Sequence, residues 1–157
     1  GAFWSAVAAA VAVDAATKWW AFHALVEGKP WPREAFPRFR LAFNTNLNAG
    51  LTIPGGGRVL YSLIGIALMI ALLVAVARTP RSARAHLVGF GMTFGGGTMN
   101  AAERMVRGSV TDFIDFGYGS FNVADIMIAC GVLVYLSFRV HGKHDGTWIL
   151  KPFWDRG

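Results

Sequence analysis

Residues 59–77, "VLYSLIGIALMIALLVAVA", run for 19 positions without a charge. That is close to the length a helix needs to cross the hydrocarbon core of a bilayer. Backbone groups in lipid find no water, so such a run must bond within itself as a helix. Three further runs share the apolar character. Residues 85–102 and 121–138 are each 18 long, and 2–26 is interrupted only by Asp14 and Lys18. Over the whole 157 residues, 54% are hydrophobic and 15% charged, with a mean hydropathy of +0.43. A soluble domain carries about 25% charged residues. The expectation is one integral membrane domain spanning 1–157: an all-α membrane protein of four transmembrane helices. Outer segments 27–58 and 103–120 connect the spans. A cleavable signal peptide is the competing reading of 2–26, since "AVAAAVAVDAA" offers small-residue sites. The lack of a basic leading region and the return of apolar residues after Lys18 argue against it.

The net charge of +6 has a natural place in this scheme. "RTPRSAR" (78–84) puts three arginines in a short connector, and the tail after Phe138 adds Arg139, Lys143, Lys151 and Arg156. The positive-inside rule turns both toward the cytoplasm, with both termini inside. Lys29, Arg33, Arg38, Arg40 and Arg58 in the first outer segment pull the other way. No basic run alternates with aromatics along a face, which argues against nucleic acid. Cys130, the one cysteine, lies in an apolar run and reads as a small buried hydrophobe. The four histidines do not gather with other ligands, except His141 and His144 in a polar tail, so no metal is expected.

The outer segments carry a period-two signal. "FRLAFNTNLNAGLTI" (39–53) alternates Phe39, Leu41 and Phe43, then Leu47, Leu51 and Ile53, and "IDFGYGSF" (114–121) supplies a second extended piece. Pro30, Pro32 and Pro37 with Trp31 and Phe36 suit a chain lying at the interface. A small extracytoplasmic β-sheet over the helix ends is expected.

The polar residues within and beside the spans gather at one depth, near the outer surface. Asp14 and Lys18 are four apart, acid first, and read as a structural pair facing the bundle. Asn100, Glu103 and Arg104 share a helix face at the outer end of the third span. Asn122 and Asp125 open the fourth, and Asp112 lies between the two helix ends. Two carboxylates in a partly dry site share a proton, so that one acts as base and the other as acid. A water between them can attack a peptide carbonyl. The competing arrangement is two separate carboxylates, one capping a helix and one solvated, and spacing alone does not choose between them.

The motifs, in order along the chain, resemble those of the lipoprotein signal peptidases (signal peptidase II), bacterial membrane aspartic peptidases. "DAATK" (14–18) is similar to that family's D-Q-x-T-K, "NAGLT" (48–52) to its N-x-G-A-A, and "GGGTMNAAER" (95–104) to its G-G-A-x-G-N-x-x-D-R. "VTDF" (110–113) and "FNVAD" (121–125) match its V-x-D-F and F-N-x-A-D intact. The resemblance implies a catalytic dyad of Asp112 and Asp125. The V-x-D-F frame selects Asp112 and leaves Asp115 aside. It also implies that Asn48, Asn100, Arg104 and Asn122 line the site. The implied substrate is a prolipoprotein carrying diacylglycerol on its cysteine, cut just before that residue, with no cofactor. The implied setting is the bacterial cytoplasmic (inner) membrane, multi-pass, with the site near the outer face. Lipid-modified precursors and membrane lipid are the expected partners, and a monomer is the expected state.

Several positions depart from the pattern. Ala15 stands where the family has Gln, Met99 where it has Gly, Glu103 where it has Asp, and Leu51-Thr52 replace two alanines. Glu103 is expected to support the loop carrying Asp112 rather than to react, through Arg104 or Arg107. One rival reading is a non-catalytic binder of lipidated peptides or of a lipopeptide antibiotic. Another is a transporter subunit with a proton path, but span two offers such a path only Ser62.

Overall fold

The computed structural model describes residues 1–32, 36–45, 57–144 and 147–152. The chain forms α1 (Ala2–Ala24), β1 (Arg38–Asn44), α2 (Gly57–Arg78), α3 (Arg84–Arg107), β2 (Val110–Asp115), β3 (Ser120–Phe121), α4 (Val123–Ser137), β4 (Phe138–His144) and β5 (Thr147–Pro152). The four apolar runs are the four helices. Among the described residues no helix is long and apolar enough to cross a membrane.

The boundaries differ from the sequence reading in physical ways. α3 runs past 102 to Arg107, so Glu103 and Arg104 are helical. It stops at Gly108, whose φ of 78° is left-handed and whose N–H returns to the Arg104 carbonyl. α4 is shorter than the run 121–138. It begins after Asn122 and gives way at Phe138 to strand β4, which pairs with β5 as a hairpin. Residues 139–144 and 147–152, which read in the sequence only as a basic tail, are extended instead.

α3 is the central helix, packed on α1, α4 and α2. Its glycines make this possible. A Cβ at Gly95 would lie 2.8 Å from the Ala10 Cβ of α1, and one at Gly96 would lie 2.6 Å from the Ala124 carbonyl of α4. Small residues therefore let both neighbours approach the α3 backbone.

The main sheet has the order β1-β2-β3, antiparallel throughout. It is seated on the end of α1. Ala21, Leu25, Leu41 and Phe113 form one buried cluster, with Phe39, Ile114 and Val123 packed against it. A second cluster of Phe3, Leu87 and Phe90 lies at the other end of the bundle, joined by Leu72, Val76 and Phe94.

Candidate active site

α4 begins with a reciprocal cap. Asn122 Oδ1 accepts from the Asp125 backbone N–H at 3.0 Å, and Asp125 Oδ2 accepts from the Asn122 N–H at 3.2 Å. Asn followed three residues later by a carboxylate thus satisfies two donors of the helix end at once. A third donor, the Ala124 N–H, reaches across the bundle to Asp14 Oδ1 at 2.9 Å. The N-terminus of α4 is therefore fastened to α1, and Asp125 in its first turn is fastened with it.

β2 brings the second aspartate. Its register sets Ala42 opposite Asp112 and Asn44 opposite Val110, so Asn44 and Asp112 are diagonal neighbours on one face. Asn44 Nδ2 donates to Asp112 Oδ2 at 2.9 Å. Asn122 Nδ2 donates to Asp112 Oδ1 at 2.7 Å and to Asn100 Oδ1 at 3.2 Å. Asn100 Nδ2 in turn donates to Asp125 Oδ1 at 2.9 Å. Two amides, Asn122 and Asn100, thus join Asp112 to Asp125.

Asp112 is 1% exposed. Burial pushes its carboxyl up to about 6 from the ordinary 3.8. The amides of Asn44 and Asn122 oppose the rise, the Asp125 carboxylate adds to it, and the Lys18 charge draws it back. A carboxyl of this kind holds a proton well above the usual acid range and can give it to a reacting group.

Lys18 stands behind the two aspartates. Its Nζ lies 2.9 Å from Asp14 Oδ2, 3.0 Å from Glu103 Oε2 and 2.9 Å from Asn100 Oδ1. The expected Asp14–Lys18 pair is present and buried, and the lysine does more than pair. Glu103 meets Lys18, meets Arg107 at 3.5 Å, and accepts a short hydrogen bond from the Thr111 hydroxyl. Thr111 adjoins Asp112, so Glu103 holds the strand that carries it. Asp115 is apart from this group: Arg40 at 3.3 Å, Arg38 at 3.7 Å and the Gly117 N–H at 2.8 Å surround it.

Arg104 and Asp125 line one end of a groove of about 600 Å³ between α2, α3 and α4, with Asn100 beside them. Its walls are apolar, among them Leu68, Leu72, Phe90 and Tyr135. Asn48, with the rest of 48–52, lies outside the described residues. In the sequence Asn44 is only one polar residue within the period-two stretch, and Thr111 carries no signal of its own. The register of β1 on β2 and the fold-back of β2 onto α3 give them their places. A polar residue ending an apolar alternation was the only advance signal for Asn44.

The family model described as signal peptidase (SPase) II matches residues 6–140. The chain belongs to the signal peptidase II family. A lipoprotein signal peptidase of Thermosynechococcus vestitus is 31% identical over 147 residues, covering 90% of this chain and 92% of its own. One of Gloeobacter violaceus is 32% identical over 140 residues, covering 85% and 79%. A solved bacterial membrane enzyme superposes with a TM-score of 0.71 at 26% identity, covering 83% of this chain and 82% of that one. Signal peptidase II membership implies a protease, a hydrolase of lipoprotein processing, and a membrane location.

Proposed function

We propose that this signal peptidase II is an aspartic endopeptidase that removes the signal peptide of diacylglyceryl-modified prolipoproteins just before the lipidated cysteine. Asp112 and Asp125 are its dyad. The observation that carries the reading is the amide bridge from Asp112 through Asn122 and Asn100 to Asp125, beside a groove apolar enough for a signal peptide or an acyl chain.

A water held between the carboxyls attacks the scissile carbonyl carbon. Asp125, ionised, takes a proton from that water as the new C–O bond forms. Asp112 gives its proton to the carbonyl oxygen. In collapse the C–N bond breaks, Asp125 returns its proton to the leaving nitrogen, and Asp112 recovers one from the hydroxyl that becomes the new carbonyl. Each aspartate ends as it began, and no metal or cofactor is called on. Arg104, Asn100, Asn122 and Asn48 orient the substrate, and Glu103, Asp14 and Lys18 hold the frame.

The same reading sets the four helices across the bacterial inner membrane, with the dyad near its outer face. α2 supports it. Leu63, Ile66, Leu68, Ile70, Leu73 and Val74 are exposed along that helix, a surface suited to lipid. Asp125 is tolerated beside so much apolar surface because the cap and the amides satisfy its carboxylate and it faces the site rather than the bulk lipid.

The test is release of the signal peptide from a purified, diacylglyceryl-modified precursor. Asp112→Asn and Asp125→Asn should each abolish release while the protein stays folded and inserted. A non-catalytic binder of lipidated peptides would bind the precursor equally well as Asp112→Asn and release nothing in either form.

A further inference from the structure

The direction of each amide at the site is forced. The Asp125 backbone N–H donates to Asn122 Oδ1, so Asn122 Nδ2 must turn toward Asp112 and Asn100. Asn100 Oδ1 receives both Asn122 Nδ2 and the Lys18 ammonium. An ammonium has only protons to offer, so it fixes which end of that amide faces it. Nδ2 of Asn100 is left to face Asp125.

We propose that Lys18 is a positioning residue of the reaction, acting through the Asn100 amide to keep Asp125 as the base and Asp112 as the acid. The inference rests on the dyad reading above. With Lys18 present, Asp125 meets a donor and is favoured as the ionised partner. Without it, only the longer contact from Asn122 holds the amide, and Asn100 can offer its oxygen to a protonated Asp125. The shared proton then loses its assigned place. The charged groups facing Lys18 are Asp14 on its own helix and Glu103 on α3, with Arg107 beyond Glu103. Asp112 on β2 feels its charge, and Asp125 on α4 lies one amide away. A purely structural lysine would tie Asp14 to Glu103 and leave the proton where it was.

The experiment is a double-mutant cycle on the full chain, with Lys18→Met, Asn100→Ala and the pair, read by cleavage of a diacylglyceryl-modified precursor across pH. Lys18→Met should lower kcat by about 10–100-fold with KM little changed, less than the ~10²–10⁴-fold contributed by a group that itself transfers the proton. Its pH profile should also change shape, because the shared proton loses its assigned place while Asp125 keeps the Asn122 N–H but not a fixed Asn100 donor. In the Asn100→Ala background the same substitution should cost less than about threefold, because its route has been removed. Losses that multiply, or an unmoved pH profile, overturn the proposal. Should Lys18→Met fail to fold with Asp14 and Glu103 uncompensated, the cycle is run with Glu103→Gln throughout, which removes one of the two charges and keeps an acceptor for Thr111. Asp112→Asn separates the two claims. If it still cleaves, the dyad reading fails. If it is dead while the cycle multiplies, only the role of Lys18 fails.

Discussion

Asp112 and Asp115 lie three residues apart on β2, 1% and 2% exposed, yet their partners differ in kind. Asp112 meets neutral amides and another carboxylate. Asp115 meets two guanidinium groups and a turn N–H, which satisfy it as an anion. Asp115→Asn should therefore keep cleavage within about threefold. It should cost roughly 1 kcal/mol of stability or less, since Arg38 and Arg40 are partly exposed. Cleavage rates and thermal midpoints of Asp115→Asn beside Asp112→Asn check both points, and a dead Asp115→Asn with an active Asp112→Asn would reverse the assignment. pH is a second test. Asp112 ionises near 6 in the folded chain and near 3.8 as an ordinary carboxyl, so folding favours its protonated form. That contribution to stability is whole below 3.8 and fades as pH rises through 6. The proton it holds is the one the acid gives, so kcat/KM should fall on the alkaline side with an apparent pKa near 6, about tenfold per pH unit. Glu103→Gln should lower the initial rate partially, by roughly tenfold, because the amide keeps an acceptor for Thr111 and loses the attraction to Lys18. Loss as complete as that of Asp112→Asn would put Glu103 among the reacting groups.

Helix spacing matters as much as any single side chain. The dyad is split between a strand and a helix, and α3 holds the helix at a distance set by glycine. At Gly96 an added Cβ would lie 2.6 Å from the carbonyl of Ala124, one residue before Asp125. Gly96→Ala must push α4 away. It should cost about 1–3 kcal/mol as overpacking. It should also slow cleavage by ~10-fold or more, since shifts near 1 Å misplace reacting groups. Gly119→Ala in the turn before β3 is the control, because its Cβ would meet only the Phe121 ring, at 3.6 Å. Measured rates and melting midpoints that rank the two alike would mean that the α3–α4 spacing does not govern the site.

On the scale of the whole molecule, four apolar helices stand together with a sheet seated on the end of α1, and the sheet supplies Asn44 and Asp112 to the site while the helices supply Lys18, Asn100 and Asp125. Its orientation in a membrane is open to a labelling experiment. In a Cys130→Ala background, Tyr118→Cys, at a position 84% exposed near the β2–β3 turn, should react with an impermeant thiol reagent added outside intact cells. Ser82→Cys, in the arginine-rich connector, should react only after lysis. The opposite pattern would put the dyad on the wrong side for a secreted substrate. The sequence by itself determined the four helices, extended character beginning at Phe39 and the family. Each rests on signals local in the chain: uncharged length, period two, and residues at fixed spacing such as Asn122 and Asp125, which cap the helix they begin. It also marked Asp14 and Lys18 as a pair, because i and i+4 meet on any helix. The end of α4 at Ser137 and the β4–β5 hairpin were hidden, since apolar character alone does not say where a helix stops. Only the tertiary structure decided that Asn44 reaches Asp112, that Asp14 caps a helix 110 residues away, and that Lys18 touches Asn100 and Glu103 together. Those contacts join residues far apart in sequence, and their geometry depends on how closely the glycines of α3 let its neighbours approach.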